Sequence, residues 1–498
     1  MTIKRSMAFW LGCFIISAGV LLHIPMLVDA HAMGNRLVGM AVDGPMMAGM
    51  ALILLGVVLA GWGALPKPMR ARDCQNLPRF EIAETTRLNG GHVVAMLVLM
   101  IGLIIDVMKP ATLGFVLPGL AEEYDIARTT AALLPLSALT GTVVGSVLWG
   151  WLADAYGRRT SILLSTILFA STSICGAMPE FGWNLVMCFL MGSSAGGMLP
   201  VVYTLLAEIL PPRHRRWALV LVGGTGMIGG YLAASGAAYL LEPTFGWRAL
   251  WLQGFPTALL LLALARFLPE SPAFLAAQGR ISELDMMASR FGIVKVDPLS
   301  PTQEHPKSKS QTGLAIALIV TALSWSFVNF GLLLWLPMDL QTKGYSAGLV
   351  SGVIASSSLL ALPTIALAAW IYSRICSKWT LIGTIALTVI AMVGALLPPE
   401  FLIGHHILVA TVTLLIVGTN GTIAVLLPYT AESIPAAIRG RATGLVAGSS
   451  KFGGIAVQLA AIAGLFPTLG GAALALLAPT ALSAVMVALT GRETNNEG

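Results

Sequence analysis

Apolar stretches long enough to cross a bilayer recur along the whole chain, separated by short polar joints. A run of 18 or more apolar residues covers a hydrocarbon core about 30 Å thick as a helix. On that criterion two spans are predicted near the start, at about 7–28 and 45–65. Six follow at about 92–119, 130–152, 160–178, 183–209, 217–241 and 247–268. A polar segment, 269–312, holds "HPKSKSQ". Six more spans are predicted at about 313–338, 347–371, 379–397, 404–430, 440–465 and 467–490. The pattern divides the chain into a leading helix pair (1–66), a basic linker (67–91), a first six-span unit (92–268), a central loop (269–312), a second six-span unit (313–490) and a tail (491–498).

Composition removes the alternatives. Of 498 residues 56% are hydrophobic and 10% charged, against about 25% charged in soluble domains. The weakly alternating ten-residue segments of a membrane barrel are absent. An all-α membrane protein is expected. The net charge of +6 comes from the joints and does not point to nucleic acid. With both termini cytoplasmic, 23 of the 29 lysines and arginines fall on cytoplasmic segments or their edges. Arg36, Arg128, Arg248 and Lys343 fall outside, and Lys109 and Lys451 lie within spans. That asymmetry fixes an even number of crossings in a cell inner membrane. Ala30-His31-Ala32 after an apolar run resembles a signal-peptide cleavage site, but 7–28 is longer than a usual signal core, and an uncleaved helix is the favoured reading. Cys13, Cys74, Cys175, Cys188 and Cys376 form no CxxC pair and read as small packing residues. No metal spacing, nucleotide loop or nucleophile–base set appears, so neither an enzyme nor a cofactor is expected.

The two six-span units repeat. "AEILPPRHR" (207–215) and "AESIPAAIR" (431–439) match at an offset of 224, which also pairs Gly229 and Gly230 with Gly453 and Gly454. Earlier in each unit the offset is 219, pairing Pro118 with Pro337 and Trp151 with Trp370. Duplicated six-helix halves are the layout of a rocker-type secondary transporter whose site lies midway between them.

"GWLADAYGRR" (150–159) carries a more specific signal: Gly150, Asp154, Gly157, Arg158 and Arg159 resemble the signature between helices 2 and 3 of the major facilitator superfamily. The second unit has Ser373 where that aspartate would stand. Glu208-x-x-Pro211-x-x-x-Arg215 and Glu432-x-x-Pro435-x-x-x-Arg439 resemble the Glu/Arg motifs of its sugar-porter, organic-ion and aromatic-acid branches. "PESPAFL" (269–275), with Glu270, resembles their PESPR segment, although Ala273 replaces the arginine. The resemblance spans roughly 90–490 and leaves the two leading spans uncovered. It implies two pseudo-symmetric six-helix bundles and a cytoplasmic charge network, with Asp154 facing a helix N-terminus or an arginine, that closes and releases as the halves rock. "GTGMIG" (224–229) matches a dinucleotide fingerprint only in letters, since no strand precedes it; its glycines suit close helix packing.

The span around 101–118 holds the candidate chemistry. Asp106 and Lys109 share one helix face, and Pro110 deprives the Asp106 carbonyl of its helical donor. An intramembrane carboxylate is by default a proton or ion relay, so Asp106 is the expected proton-coupling residue. The offset of 219 places Trp325 opposite Asp106 and Val328 opposite Lys109, so the fold itself does not require charge there. Related aromatic-acid transporters often carry D-G-x-D in this span; here Lys109 replaces the second aspartate. Lys109 and Lys451 are candidate substrate ligands, as are Asn329, Asn420, Gln253 and Gln458, with Trp325 and Tyr203 as rings to stack on. The expected protein is a monomeric transport unit in the lipid bilayer that moves a small organic anion with protons. A neutral solute such as a sugar, an exporter, or a non-transporting sensor on the same scaffold are the alternatives.

Overall fold

The computed structural model describes residues 3–65, 79–82, 86–296, 309–396, 405–434, 436–465 and 468–494. Among them fourteen helical segments, from Lys4–Ala32 to Leu469–Thr490, are long and apolar enough to cross a membrane. An even number brings both ends of the chain to one face, here called the terminal face.

The leading pair consists of α1 (Ile3–Leu21), which continues after a bend as α2 (Ile24–Ala32), and α3 (Gly44–Ala64). The first half comprises α4 (Gly90–Glu123), α5 (Leu133–Tyr156), α6 (Arg158–Thr172), α7 (Phe181–Ala195) leading into α8 (Met198–Ile209), α9 (Pro212–Phe245) and α10 (Gly254–Leu264). After the terminal-face helix α11 (Ile281–Phe291), the second half comprises α12 (Lys309–Val328) leading into α13 (Leu336–Thr342), then α14 (Ala347–Arg374), α15 (Ser377–Ala395), α16 (His405–Ser433), α17 (Ala436–Ile462) and α18 (Leu469–Thr490).

Starts are set by local chemistry. Asn89 and His92 form a reciprocal capping box at the head of α4, and Asp43 accepts from the Met46 N–H at the head of α3. One element was not legible as such: Arg79–Ile82 (β1) pairs antiparallel with Ile293–Val296 (β2), joining the linker to the segment after α11. Four-residue strands more than 200 residues apart leave no periodic signal.

The halves meet along two seams, α9 against α14 and α16, and α5 against α17. The glycines of 224–229 are used as the sequence suggests. A Cβ on Gly224 would lie 2.7 Å from Ile365 of the other half, and one on Gly226 2.6 Å from Leu103 of α4. Cys13, Cys175 and Cys188 are buried free thiols, and Cys74 lies outside the described residues.

Candidate functional site

Helix α4 runs unbroken through Pro110, and a single turn of it carries the charge. Asp106 and Lys109 are buried, 6% and 4% exposed. The Lys109 Nζ lies 3.2 Å from Asp106 Oδ1 and donates to the Ser194 hydroxyl of α7 at 3.4 Å. The same ammonium stands 4.0 Å from the centre of the Phe169 ring of α6, whose negative face suits a cation. Three elements of the first half therefore hold one ammonium. Lys451 of α17 is half-buried and within electrostatic reach of Asp106 from the other half. One residue along, Pro110, Leu113, Leu139 and Met191 face Phe330 and Leu334 of the second half across a small apolar pocket. The arrangement offers cationic donors for an anionic group, a carboxylate able to hold a proton, and an apolar slot beside them.

The polar candidates divide. Asn329 opens a π-helical segment, Asn329–Leu333, and accepts from Tyr231 Oη at 3.0 Å, a bond between the halves. Gln458 donates to the Phe330 carbonyl in that segment at 2.7 Å and accepts from Trp335 Nε1 at 3.2 Å. Gln253 donates to Thr112 Oγ1 at 3.1 Å, tying the start of α10 to α4. Asn420 donates to its own helix at Ile416. These bonds place Gln253, Gln458 and Asn329 in helix–helix packing. Tyr203 Oη is buried without a partner among the described residues and lies against Gly223, which leaves it the room. Trp325 packs edge-on to Phe330 and lines a second small pocket with Ser324, Thr388, Thr419, Thr422 and Thr480. The indole Nε1 and the Thr419 hydroxyl find no partner there.

At the terminal face the charged motifs assemble, while Asp154 is exposed and makes no ion pair among the described residues. Gly157, at φ +97°, lets the chain turn against the Glu270 carboxylate, which accepts from the Arg159 and Ser271 amides at 3.2 and 3.0 Å. Burial pushes the Glu270 pKa up from the ordinary carboxylate value, and the amides oppose that. Arg158 pairs with Glu208 at 2.9 Å. Arg215 donates to the Leu210 carbonyl, while the next residue, Arg216, crosses to Glu432 at 3.0 Å. The Arg439 side chain lies outside the described residues. Gly150, in the last turns of α5, is exposed.

The tail supplies residues the sequence reading left out. Glu493 accepts from Ser377 Oγ at 2.7 Å and from the Lys378 amide at 3.3 Å, and Thr494 joins Arg216 to Glu432. The signal was available: an offset of 219 pairs Arg159 with Lys378, and one of 223 pairs Glu270 with Glu493. Each glutamate thus caps the matching helix of its half. At the opposite face Asp339 takes Lys343 at 2.9 Å and Arg128 of the first half at 4.0 Å, with Arg128 over the Trp335 ring. The halves are bridged at both ends.

The Major Facilitator Superfamily model matches residues 97–458. The chain belongs to this superfamily. It is 27% identical over 387 residues to the niacin transporter NiaP of Acinetobacter baylyi, covering 74% of this chain and 86% of that one. It is 26% identical over 391 residues to the gentisate transporter of Corynebacterium glutamicum, covering 75% and 82%. Of the 4-hydroxybenzoate transporter PcaK of Acinetobacter baylyi it covers 51%, with 46% of this chain, at 29% identity. Among solved structures, the partially occluded, inward-open xylose transporter XylE of E. coli superposes with a TM-score of 0.66 at 17% identity, over 82% of this chain and 99% of that one. This superfamily member is a multi-pass membrane transporter of small solutes and not an enzyme. Residues before 97, including the leading pair, fall outside the matched region.

Proposed function

We propose that the protein takes up a small organic anion, an aromatic or other carboxylate, together with a proton across the cytoplasmic membrane by alternating access, its termini in the cytoplasm. One observation carries this: a buried carboxylate and ammonium 3.2 Å apart in mid-helix. Burying two charges costs several kcal/mol each, and the second half shows Trp325 and Val328 at the same places. A cost with no folding need marks a functional group. In the cycle, a proton on Asp106 frees Lys109 to engage the solute's carboxylate, and Lys451 closes on it from the other half. The apolar pocket between Pro110 and Phe330, no larger than a water in this state, widens as the halves rock and then receives the solute's ring. The relatives' printed substrates, niacin, gentisate and 4-hydroxybenzoate, are small aromatic compounds, which supports this class of solute.

Asp106→Asn tests the reading. It resembles the protonated state and cannot release a proton. In proteoliposomes the variant is expected to keep counterflow exchange of aromatic carboxylates and to lose accumulation driven by a pH gradient. Full gradient-driven accumulation by the variant would remove Asp106 from the coupling. Binding of sugars and not carboxylates, read by thermal shift of the purified protein, would replace the anion with a neutral solute.

A further inference from the structure

The leading helix pair is built as a unit and attached at both faces. Gly49, Gly56 and Gly63 of α3 recur every seventh residue, and Gly12 and Gly19 of α1 do the same. Seven-residue spacing keeps small residues on one seam. A Cβ on Gly56 would lie 2.7 Å from the Ile16 side chain, and one on Gly19 would lie 2.7 Å from the Gly49 carbonyl. The hairpin packs laterally on α6.

At the opposite face its loop inserts into the first half. Leu37 is fully buried, and its amide donates to Glu123 Oε1 at 2.7 Å; the Val38 amide adds a 3.3 Å contact. The same carboxylate takes Trp247 Nε1 at 3.0 Å and Arg248 at 2.8 and 3.1 Å, and Arg248 also donates to the Gly176 and Met178 carbonyls. One buried carboxylate thus joins the pair's loop to α4, to the turn after α6 and to the turn after α9. Two of the three donors on its Oε1 come from the leading pair. At the terminal face β1 pairs with β2, and Asn89 donates to the Arg290 carbonyl at 2.7 Å.

We propose that the leading pair (Ile3–Ala64) is an intramolecular brace that moves as one body with the first half. It packs along α6, the helix that presents Phe169 to Lys109, and is joined through Glu123 and Arg248 to the turn after that helix, and so stiffens the wall of the charged site. The rigid-body part of this stands apart from the substrate reading. A loosely tethered pair would not bury the Leu37 amide on a buried ion pair, because losing a hydrogen bond to a charged group is costly.

Spin-label distances in the full chain, with the native cysteines replaced, test it. Val58→Cys on α3 and Val147→Cys on α5 are exposed positions (71% and 73%), as is Leu367→Cys on α14 (56%). The 58–147 distance is expected to be narrow and unchanged across acidic and neutral pH and with or without 4-hydroxybenzoate. The 58–367 distance is expected to follow every shift of 147–367. A broad or shifting 58–147 distribution overturns the brace. If 147–367 never shifts, the transport cycle proposed above loses support, while the width of 58–147 still judges the brace. Leu37→Pro removes one attaching amide and Phe80→Pro breaks β1; each is expected to broaden 58–147. No broadening in either would overturn the assigned attachments.

Discussion

Asp106 and Trp325 occupy matching places in the two halves, and the chain sets charge at one and hydroxyl groups around the other. The correspondence extends beyond the pair, since the offset of 219 also places Thr388 where Phe169 stands. In the first half an ammonium is held by a carboxylate, a hydroxyl and a ring. In the second, Thr321, Thr388, Thr422 and Thr480 give their protons to backbone carbonyls of their own helices, at 2.7–3.1 Å, and turn lone pairs toward a pocket holding an unpartnered indole N–H. The helices differ as well: α4 passes Pro110 without a break, while its counterpart changes to a π-helical segment at Asn329–Leu333. Such segments gather at functional sites. The scaffold tolerates either solution, so folding does not call for the charge.

Making the first half resemble the second is the strongest way to break the comparison. Lys109→Val installs the residue found at 328 and leaves Asp106 buried with its nearest cation gone. Removing one member of a buried pair costs about 3–5 kcal/mol. A large fall in thermal stability in detergent and loss of transport are expected. Lys109→Val with Asp106→Val is expected to regain most of the stability and none of the transport. If the double variant stayed as unstable as the single one, the pair would be a folding element and the contrast between the halves would lose its meaning.

The two capping glutamates sharpen the comparison at the terminal face, with a smaller effect. Glu270 and Glu493 accept amide protons at matching helix starts, and loss of such a cap costs about 1 kcal/mol. Glu270→Ala and Glu493→Ala are expected to slow uptake while leaving solute affinity near normal, because neither touches the mid-helix site. Glu270 also has a pH signature. Its carboxyl is pushed above the ordinary value, so the folded form holds the proton more firmly than the unfolded one. Stability from that proton is present below the ordinary carboxylate pKa and is lost as pH rises through the raised one. Thermal unfolding across that window is expected to lose part of its pH dependence in Glu270→Ala; an unchanged profile would assign the dependence elsewhere.

The sequence exposes what is local or periodic. Fourteen spans follow from hydropathy, the duplicated halves from constant offsets, and the Asp106–Lys109 contact from a three-residue spacing on one helix. What it hides depends on tertiary neighbours. Ser194 and Phe169 come from other helices, and nothing in either segment marks them as partners of an ammonium. Arg215 and Arg216 are adjacent in the chain but about 100° apart around a helix, so only the packed structure shows which one reaches Glu432. Gln253 and Gln458 read as site residues because they are polar in an apolar span, and the structure uses both for helix–helix bonds. Asp154 matches the family signature in sequence, yet the carboxylate against Gly157 is that of Glu270.

The smallest expected effect concerns whether the hydroxyl pocket is wet. Thr419→Val keeps the shape and removes a hydroxyl that has no partner among the described residues. A buried hydroxyl without a bond costs about 1–3 kcal/mol, so in a dry pocket the variant gains stability of that order. A pocket with room for a water and several acceptors can hold one. The Trp325 N–H and the lone pairs of Thr388 and Thr422 supply partners on three sides, and Thr419 then has a bond to lose. The polar lining favours the wet case, for which Thr419→Val is expected to lower the thermal midpoint slightly and leave transport of aromatic carboxylates unchanged. A raised midpoint would mean a dry pocket. A weakened solute affinity with an unchanged midpoint would instead bring the second half's hydroxyl groups into the binding site, and the division of labour between charged and uncharged halves would have to be redrawn.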